Sequence, residues 1–485
     1  MARVIVLGAG VAGHTAALVL RRKLPTEHEV VVVSPNRRWN WIPSNIWVGV
    51  GLMRPADVTF DLAPVYAKQG IRHVQAKAIE LRPEGDAADP APSVRVEHTS
   101  DARRGEREDL RYDYLVNATG PRLDFAATPG LGPEHHSLSV CTAAHAEQTA
   151  QELAAAVERM RRGERLTFLV GTGHGACTCE GAAFEYVFNL EFELRREGVR
   201  DRARLVFITN EAELGDFGVD GLQLARGGYV TPGKIFAESL FAERGIEAIT
   251  GAHVSRVEAG RCSYETLDGE IHEQPFDFAM LLPKFGGVPL RAFDRAGADI
   301  GAELFAPSGF MKVDADYTPR PYEEWRARDW PRTYQSPRYP NVFAAGIAFA
   351  PPHALSRPRT TRNGTVIAPA PPRTGMPSGI IGRTVALSIA DRIAKGAAAP
   401  AHEASMAEMG AACVASAGAG FRRGTAASMT MYPVVPDYER FPDTGRDLRF
   451  TSGELGSAGH WIKRILHHLF LYKARARPFW WLIPE

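Results

Sequence analysis

The sequence predicts an α/β protein built from two Rossmann-like units in tandem, followed by a C-terminal helical membrane-binding segment. Three observations predict it. A glycine-rich turn follows an apolar run at each of two places, near Gly8 and near Gly171, and each leads into a helix-patterned stretch. The last 25 residues then combine aromatic and basic side chains with a helical period.

Val4 to Leu7 is a short apolar run suited to a buried parallel strand. Gly8-Ala9-Gly10-Val11-Ala12-Gly13 follows, a helix pattern runs from about Ala12 to Leu24, and Glu29 to Val33 reads as the next strand. In such a turn Gly8 permits the tight bend, Gly10 admits a pyrophosphate, and Gly13 lets helix and strand pack closely. The helix N-terminus faces the phosphates with free N–H groups and the positive end of its dipole. The second strand ends Val33-Ser34-Pro35-Asn36 without the usual ribose-binding acid, so Ser34 or Asn36 is expected to take that contact.

The second unit begins at Leu166–Val170 and turns through Gly171-Thr172-Gly173-His174-Gly175-Ala176. A helix is expected over about Glu180 to Arg196 and a strand over Leu205–Thr209. The turn fits a nicotinamide-type GxGxxA pattern, yet it carries Cys177 and Cys179 where a pyrophosphate needs room. A duplicated fold without nicotinamide is therefore favoured, with nicotinamide binding left open. Tyr114–Gly120 and Asn341–Ile347 read as strands that end in turns of the first unit. The expected organisation is 1–150 and 331–398 for the first unit, 151–330 for the second, and 399–485 for the C-terminal region.

Composition excludes several classes. Lys+Arg 57 against Asp+Glu 56 leaves a net charge of +1, which gives nucleic-acid binding no electrostatic support. Five cysteines are too few and too scattered for a secreted disulfide scaffold, and their spacing fits no zinc motif, so no metal is expected. Neither a signal-peptide pattern nor an apolar run of transmembrane length occurs, so the chain is expected on the cytoplasmic side of the membrane, held peripherally.

Longer segments carry a family resemblance. Trp41-Ile42-Pro43-Ser44-Asn45-Ile46-Trp47-Val48-Gly49-Val50-Gly51 resembles the FPSNPWVGVG-type segment of sulfide:quinone oxidoreductases. Ala118-Thr119-Gly120-Pro121-Arg122, Ser139–Glu147, Cys179–Tyr186 and Phe343–Ala348 are similar to other family segments in the same order. The family belongs to the two-dinucleotide-binding-domain flavoproteins, with flavocytochrome c sulfide dehydrogenase subunits as relatives.

The resemblance implies FAD, sulfide or another small sulfur compound as donor, and a membrane quinone as acceptor. It implies that Gly8, Gly10, Gly13, Ser34, Asn36, Ser44, Asn45, Thr119, Gly120, Gly346 and Ile347 serve the cofactor. It makes Cys179 the redox cysteine, Cys141 a cysteine that some members join covalently to the flavin, and His145 a proton-handling residue. Phe285 and Arg373 fall in stretches that lie near the quinone.

The family's third cysteine stands in a Cys-Phe-Ala-Asp-Met-Gly segment. The expected match is Ser405-Met406-Ala407-Glu408-Met409-Gly410, where serine cannot form a disulfide. Cys177 and Cys413 are the available substitutes, and Cys177 is favoured by sequence proximity. A second family histidine is replaced by Asp216. Rival readings are a single-chain NADH:quinone dehydrogenase and a non-catalytic flavin subunit of a larger complex. A homo-oligomer is compatible with any of them.

At 100° per residue, Trp461, Ile462, Ile465, Leu466, Leu469 and Tyr472 share one face. Lys463, Arg464, His467 and His468 fall on the other, and Leu471 breaks the pattern. A basic amphipathic helix followed by Trp480-Trp481 is what an interfacial anchor requires.

Overall fold

The structure, a computed structural model, describes residues 1–178, 180–373, 375–418 and 424–485. The first unit opens with β1 (Arg3–Leu7), α1 (Val11–Lys23) and β2 (Glu29–Val33). Val4–Leu7 and Val30–Val33 are buried, as an apolar run covered on both faces should be. β3 (Arg72–Val74) and β4 (Tyr114–Asn117) extend the sheet. The strand Val342–Ala344 completes it, in the order Val342–Ala344, β4, β1, β2, β3. All four pairings are parallel. The sequence thus leaves this sheet after β4 and returns to it more than 200 residues later.

The second unit follows α2 (Ala143–Arg161) and comprises β5 (Leu166–Thr172), α3 (Gly181–Arg196), β6 (Ala203–Ile208), β7 (Ile246–Ile249) and β8 (Phe278–Leu282). Its sheet, in the order β7, β6, β5, β8, is also wholly parallel. α4 (Gly375–Lys395) then crosses α1, so closely that a Cβ on Gly382 would stand 2.3 Å from the Ala12 carbonyl oxygen.

The alanine-rich stretch forms strands. β9 (Ala411–Ala417), β10 (Thr425–Met431) and β11 (Ser452–Gly456) join the hairpin 223–232 in a five-stranded sheet. β11 runs directly into α5 (Ser457–Ala474). α5 packs on this sheet, where a Cβ on Gly459 would touch Ser428 and Ala426.

α5 turns its apolar face outward, the orientation an interfacial helix needs. Its polar face turns inward: His460, Lys463 and His467 are buried, together with Leu471. Leu471, which spoils the periodicity, is an anchoring residue. The apolar face turns out, with Ile462 48%, Ile465 52% and Leu469 40% exposed. Phe479 and Leu482 beyond the helix are also exposed. Among the described residues no helix is long and apolar enough to cross a membrane.

Candidate active site

Around the first glycine turn the three glycines have distinct duties. Gly8 has φ +98°, and a Cβ there would lie 2.1 Å from the Ala118 carbonyl oxygen. A Cβ on Gly13 would lie 2.1 Å from the Gly8 carbonyl oxygen. Both are therefore needed for close backbone approach. Gly10 is exposed and has nothing within 4 Å of where a Cβ would be. It caps α1 without any side-chain hydrogen bond to the helix. Free N–H groups facing open space at a helix N-terminus fit a diphosphate.

The C-terminal ends of three neighbouring strands frame this space. β1 ends at Gly8, β4 leads to Thr119 and Gly120, and Val342–Ala344 leads to Gly346 and Ile347. Gly120 and Gly346 both take positive φ, +71° and +64°. The Thr119 hydroxyl donates to Asn117 Oδ1 at 2.8 Å. Ser34 is buried at the end of β2, where its Oγ accepts the Asn36 N–H at 3.3 Å, and Asn36 is exposed. Ser44 and Asn45 are buried and tied to protein partners. Ser44 Oγ lies 2.8 Å from His467 Nδ1, and Asn45 Nδ2 donates to the Val140 carbonyl at 3.1 Å.

The second glycine turn is closed. His253 Nδ1 accepts the Gly175 N–H at 3.0 Å. The Ala368 N–H donates to Gly175 O, and the Ala370 N–H to Cys177 O, both at 2.9 Å. The Asn210 amide donates to the same two carbonyls. At the head of α3, the Glu180 N–H donates to Glu211 Oε1 at 3.0 Å. Glu211 stands just beyond β6, where a nicotinamide-binding fold keeps its ribose acid. Here that carboxyl is spent on the helix end that a pyrophosphate would need.

Cys179 lies outside the described residues. Cys177 is buried, and its thiol donates to the Leu282 carbonyl at 3.2 Å. Burial pushes that thiol up to about 12. Cys141, half-buried ahead of α2, is pushed up to about 11 by the same cause. His145 sits in the first turn of α2, its N–H given to Thr142 Oγ1 at 3.1 Å, and burial lowers its pKa. Its ring meets Phe125 edge-on at 5.8 Å. Phe285 pairs with Leu123 across two short antiparallel strands. Arg373 is buried and donates to the Ile347 and Phe349 carbonyls.

β9 brings Cys413 to α3. Glu185 Oε1 accepts the Ser416 N–H at 3.0 Å, and Asn189 exchanges hydrogen bonds with the Ser416 carbonyl and the Gly418 N–H. Helix and strand run in the same sense through these contacts. Stepping back from Ser416 to Cys413 covers about 10 Å of strand. Stepping back from Glu185 to Gly181 covers about 6 Å of helix. Cys413 therefore lies toward the head of α3. Its thiol is pushed up to about 11, first by burial and then by Glu185, while Lys463 opposes. Glu180 and Glu211 also act on it.

Comparison with known proteins agrees with this geometry. Residues 2–190 match the pyridine nucleotide-disulphide oxidoreductase family. The sulfide-quinone reductase of Aquifex aeolicus is 28% identical over 474 residues, covering 97% of this chain and 91% of that one. Its crystal structure superimposes with a TM-score of 0.75 at 27% identity, over 98% of this chain and 92% of the other. By fold and sequence the chain is sulfide:quinone oxidoreductase-like. The mitochondrial sulfide:quinone oxidoreductase of Mus musculus is 24% identical over 71% of this chain and 64% of its own length. An NDH2 structure from Plasmodium falciparum with NADH, 11% identical at a TM-score of 0.62, shares the fold. These relationships imply a flavin, and the open turn at Gly10 fits one.

A second stretch of the sequence has the spacing that was set against Ser405. Cys413-Val414-Ala415-Ser416-Ala417-Gly418 carries cysteine, alanine and glycine at the spacing of the family's Cys-Phe-Ala-Asp-Met-Gly. Ser405 Oγ instead accepts the Ala407 N–H at 3.2 Å and closes a buried turn. The spacing at Cys413 is the signal that the sequence reading passed over. Glu180, Glu211, Glu185 and Lys463 were also missed, and no local pattern marks them.

Proposed function

We propose that this protein is a peripheral membrane flavoenzyme that oxidises sulfide and passes two electrons to a quinone. The observation that supports the reading is the packing of β9 against α3, which sets Cys413 toward the head of the helix that Cys179 precedes in the sequence. That pair supplies the two sulfur atoms that the reaction needs. Cys413, a free thiol in this structure, is the proposed partner of Cys179 in the bridge; Cys177, its thiol hydrogen-bonded to the Leu282 carbonyl and enclosed, supports the turn.

FAD, bound with its diphosphate at Gly8–Gly13, supplies the two-electron acceptor between sulfur and quinone. The residues of the chain do the rest. Gly10 leaves space for the phosphates and the α1 N–H groups bind them. Ser34 and Asn36 stand where a ribose contact is made. Thr119, Gly120, Gly346 and Ile347 line the opposite side of the crevice. Cys141 and His145 border the sulfur side.

The outward apolar face of α5 supports attachment to a bilayer surface, because Ile462, Ile465 and Leu469 are each about half exposed. Arg464 beside them and Arg477 near Phe479 suit anionic headgroups. The closed second turn disfavours the NADH:quinone dehydrogenase reading.

Anaerobic titration of the purified protein tests the proposal. Sulfide is expected to bleach the flavin absorbance, and NADH is not. Bleaching by NADH alone would reverse the assignment.

A further inference from the structure

Three carboxyl groups are buried at the head of α3 with no cation among their hydrogen-bond partners in the described residues. Glu180 and Glu211 are fully enclosed and Asp216 nearly so. Glu211 is held by two N–H groups, from Glu180 at 3.0 Å and Phe217 at 2.7 Å. Glu180 Oε1 accepts the Gly215 N–H at 3.1 Å. Its other oxygen, Oε2, is buried with no hydrogen-bond partner among the described residues. Asp216 Oδ1 accepts from the Ser356 hydroxyl.

Two carboxylates cannot both stay charged at this depth. Burial raises both, and each raises the other or is raised by Asp216. The Glu180 N–H on Glu211 Oε1 and the Gly215 and Phe217 N–H groups hold the two carboxyl groups in one enclosed corner, where a proton on one of them relieves their repulsion.

A small cavity adjoins Asp216. Asp216, Asp220 and Asn210 line a water-sized cavity of about 30 Å³, with Arg357 and Arg359 at its wall. Asn210, whose amide holds the Gly175 and Cys177 carbonyls, has its Oδ1 buried and without an assigned partner.

We propose that Glu180 and Glu211 act as one proton-sharing pair, relayed through Asp216 and the cavity, which takes up the proton released by sulfur chemistry at the head of α3. This rests on the sulfide-oxidising function proposed above. Hydrosulfide attacks the Cys179–Cys413 bridge. One S–S bond forms, between the incoming sulfur and a cysteine sulfur, as the bridge S–S bond breaks. The other cysteine leaves as a thiolate. The incoming sulfur loses two electrons, and the bridge gains them. The S–H proton, now on a persulfide, passes to the ionised member of the pair and later to solvent by way of Asp216. The pair is a positioning and proton-holding device: it touches the backbone of the redox turn and the field at Cys413, not the flavin.

Other charges surround the pair. Glu185 on α3 and Lys463 on α5 flank Cys413. Arg446 and Tyr322 act on the Asp216–Asp220 side. Glu193 and Glu485 are also raised by burial, so a single spectrum does not isolate the pair.

The test is an infrared pH titration of the full flavin-loaded chain, as a difference between wild type and Glu180→Gln or Glu211→Gln. The wild type should keep a protonated-carboxyl band above the ordinary carboxylate range, and each variant should lose it. In stopped-flow reduction by sulfide, either variant should be at least tenfold slower and lose a limb of the pH profile. Glu180→Asp, which restores a carboxyl, should recover part of that limb. A retained band or an unmoved pH limb in variants that hold normal flavin would overturn the proposal. So would failure of the Glu180→Asp rescue. If sulfide does not reduce the wild-type flavin at all, the sulfide reading itself fails, while the infrared arm still decides whether the pair shares a proton.

Discussion

The Lys463 ammonium donates to the Glu185 carboxylate, joining the outward-facing helix α5 to the helix α3 that follows the redox turn. Both side chains are buried, and Glu185 also accepts from the Ser416 N–H and hydroxyl. Lys463 lies over the Trp47 ring, 5.5 Å from its centroid. Removing one partner leaves the other charge buried and uncompensated. Lys463→Met is expected to cost about 3–5 kcal/mol, and the double variant Lys463→Met with Glu185→Gln less. Urea unfolding of the two proteins checks this; equal losses would show that the pair is not coupled.

Cys413 and Cys177 are expected to separate cleanly. Cys413→Ser should abolish flavin bleaching by sulfide while flavin content stays normal. Cys177→Ser should retain most of the bleaching, because its thiol is occupied by Leu282 and hidden. The reverse result would return the bridge to Cys177.

Gly10→Ala is expected to fold and lose flavin. Its φ of −72° suits any residue, and no neighbour obstructs a methyl group, so the stability cost should be about 1 kcal/mol. That methyl group would occupy the space proposed for phosphate. Gly13→Ala should instead prevent folding, since its Cβ meets the Gly8 carbonyl. Flavin retained at wild-type stoichiometry in Gly10→Ala would contradict the placement.

Ile465→Asp with Leu469→Asp should leave the melting temperature unchanged and weaken binding to anionic vesicles. Each half-exposed side chain has about 0.8–1.5 kcal/mol of apolar burial left to gain, several-fold in affinity. Vesicle co-sedimentation equal to wild type would remove α5 from the membrane contact.

Acid should loosen the join between α1 and α5. His14 is fully buried, with Nε2 2.7 Å from the Ala474 carbonyl and Nδ1 2.9 Å from the Tyr66 hydroxyl. Burial lowers its pKa to about 4, against a weaker raising effect of the Ala474 bond. A depressed folded value means the unfolded chain binds the extra proton first. The stability contribution is complete above about 6.5, falls with pH below that, and is gone by about 4. It amounts to on the order of 3 kcal/mol. Denaturant midpoints between pH 7 and 4.5 should fall less in His14→Gln than in wild type.

What the sequence disclosed follows from range. The Gly8–Gly13 turn, β2 and the second strand–turn–helix unit are set by neighbours in the chain, and their bounds lie within a few residues of those expected. Periodicity in α5 separated two faces but could not say which one the protein covers; buried His460, Lys463 and His467 answer that only through distant partners. Two stretches eight residues apart share the Ala-x-x-Gly ending; the cysteine that opens the second and the packing of β9 on α3 are what favour Cys413 over the Ser405 match. Glu180 and Glu211 meet through the fold of a whole unit, so no window on the sequence contains their relationship.

The Glu211 carboxyl on the head of α3 has a consequence for cellular wiring. A fold of this kind commonly offers two docking bays, one for the redox centre and one for a soluble carrier of reducing equivalents. Here the second bay is stitched shut by the protein's own backbone and a carboxyl group. On the sulfide-oxidising reading, that closure would keep the reduced-nicotinamide pool out, however abundant it becomes, and respiratory current would enter only as sulfur.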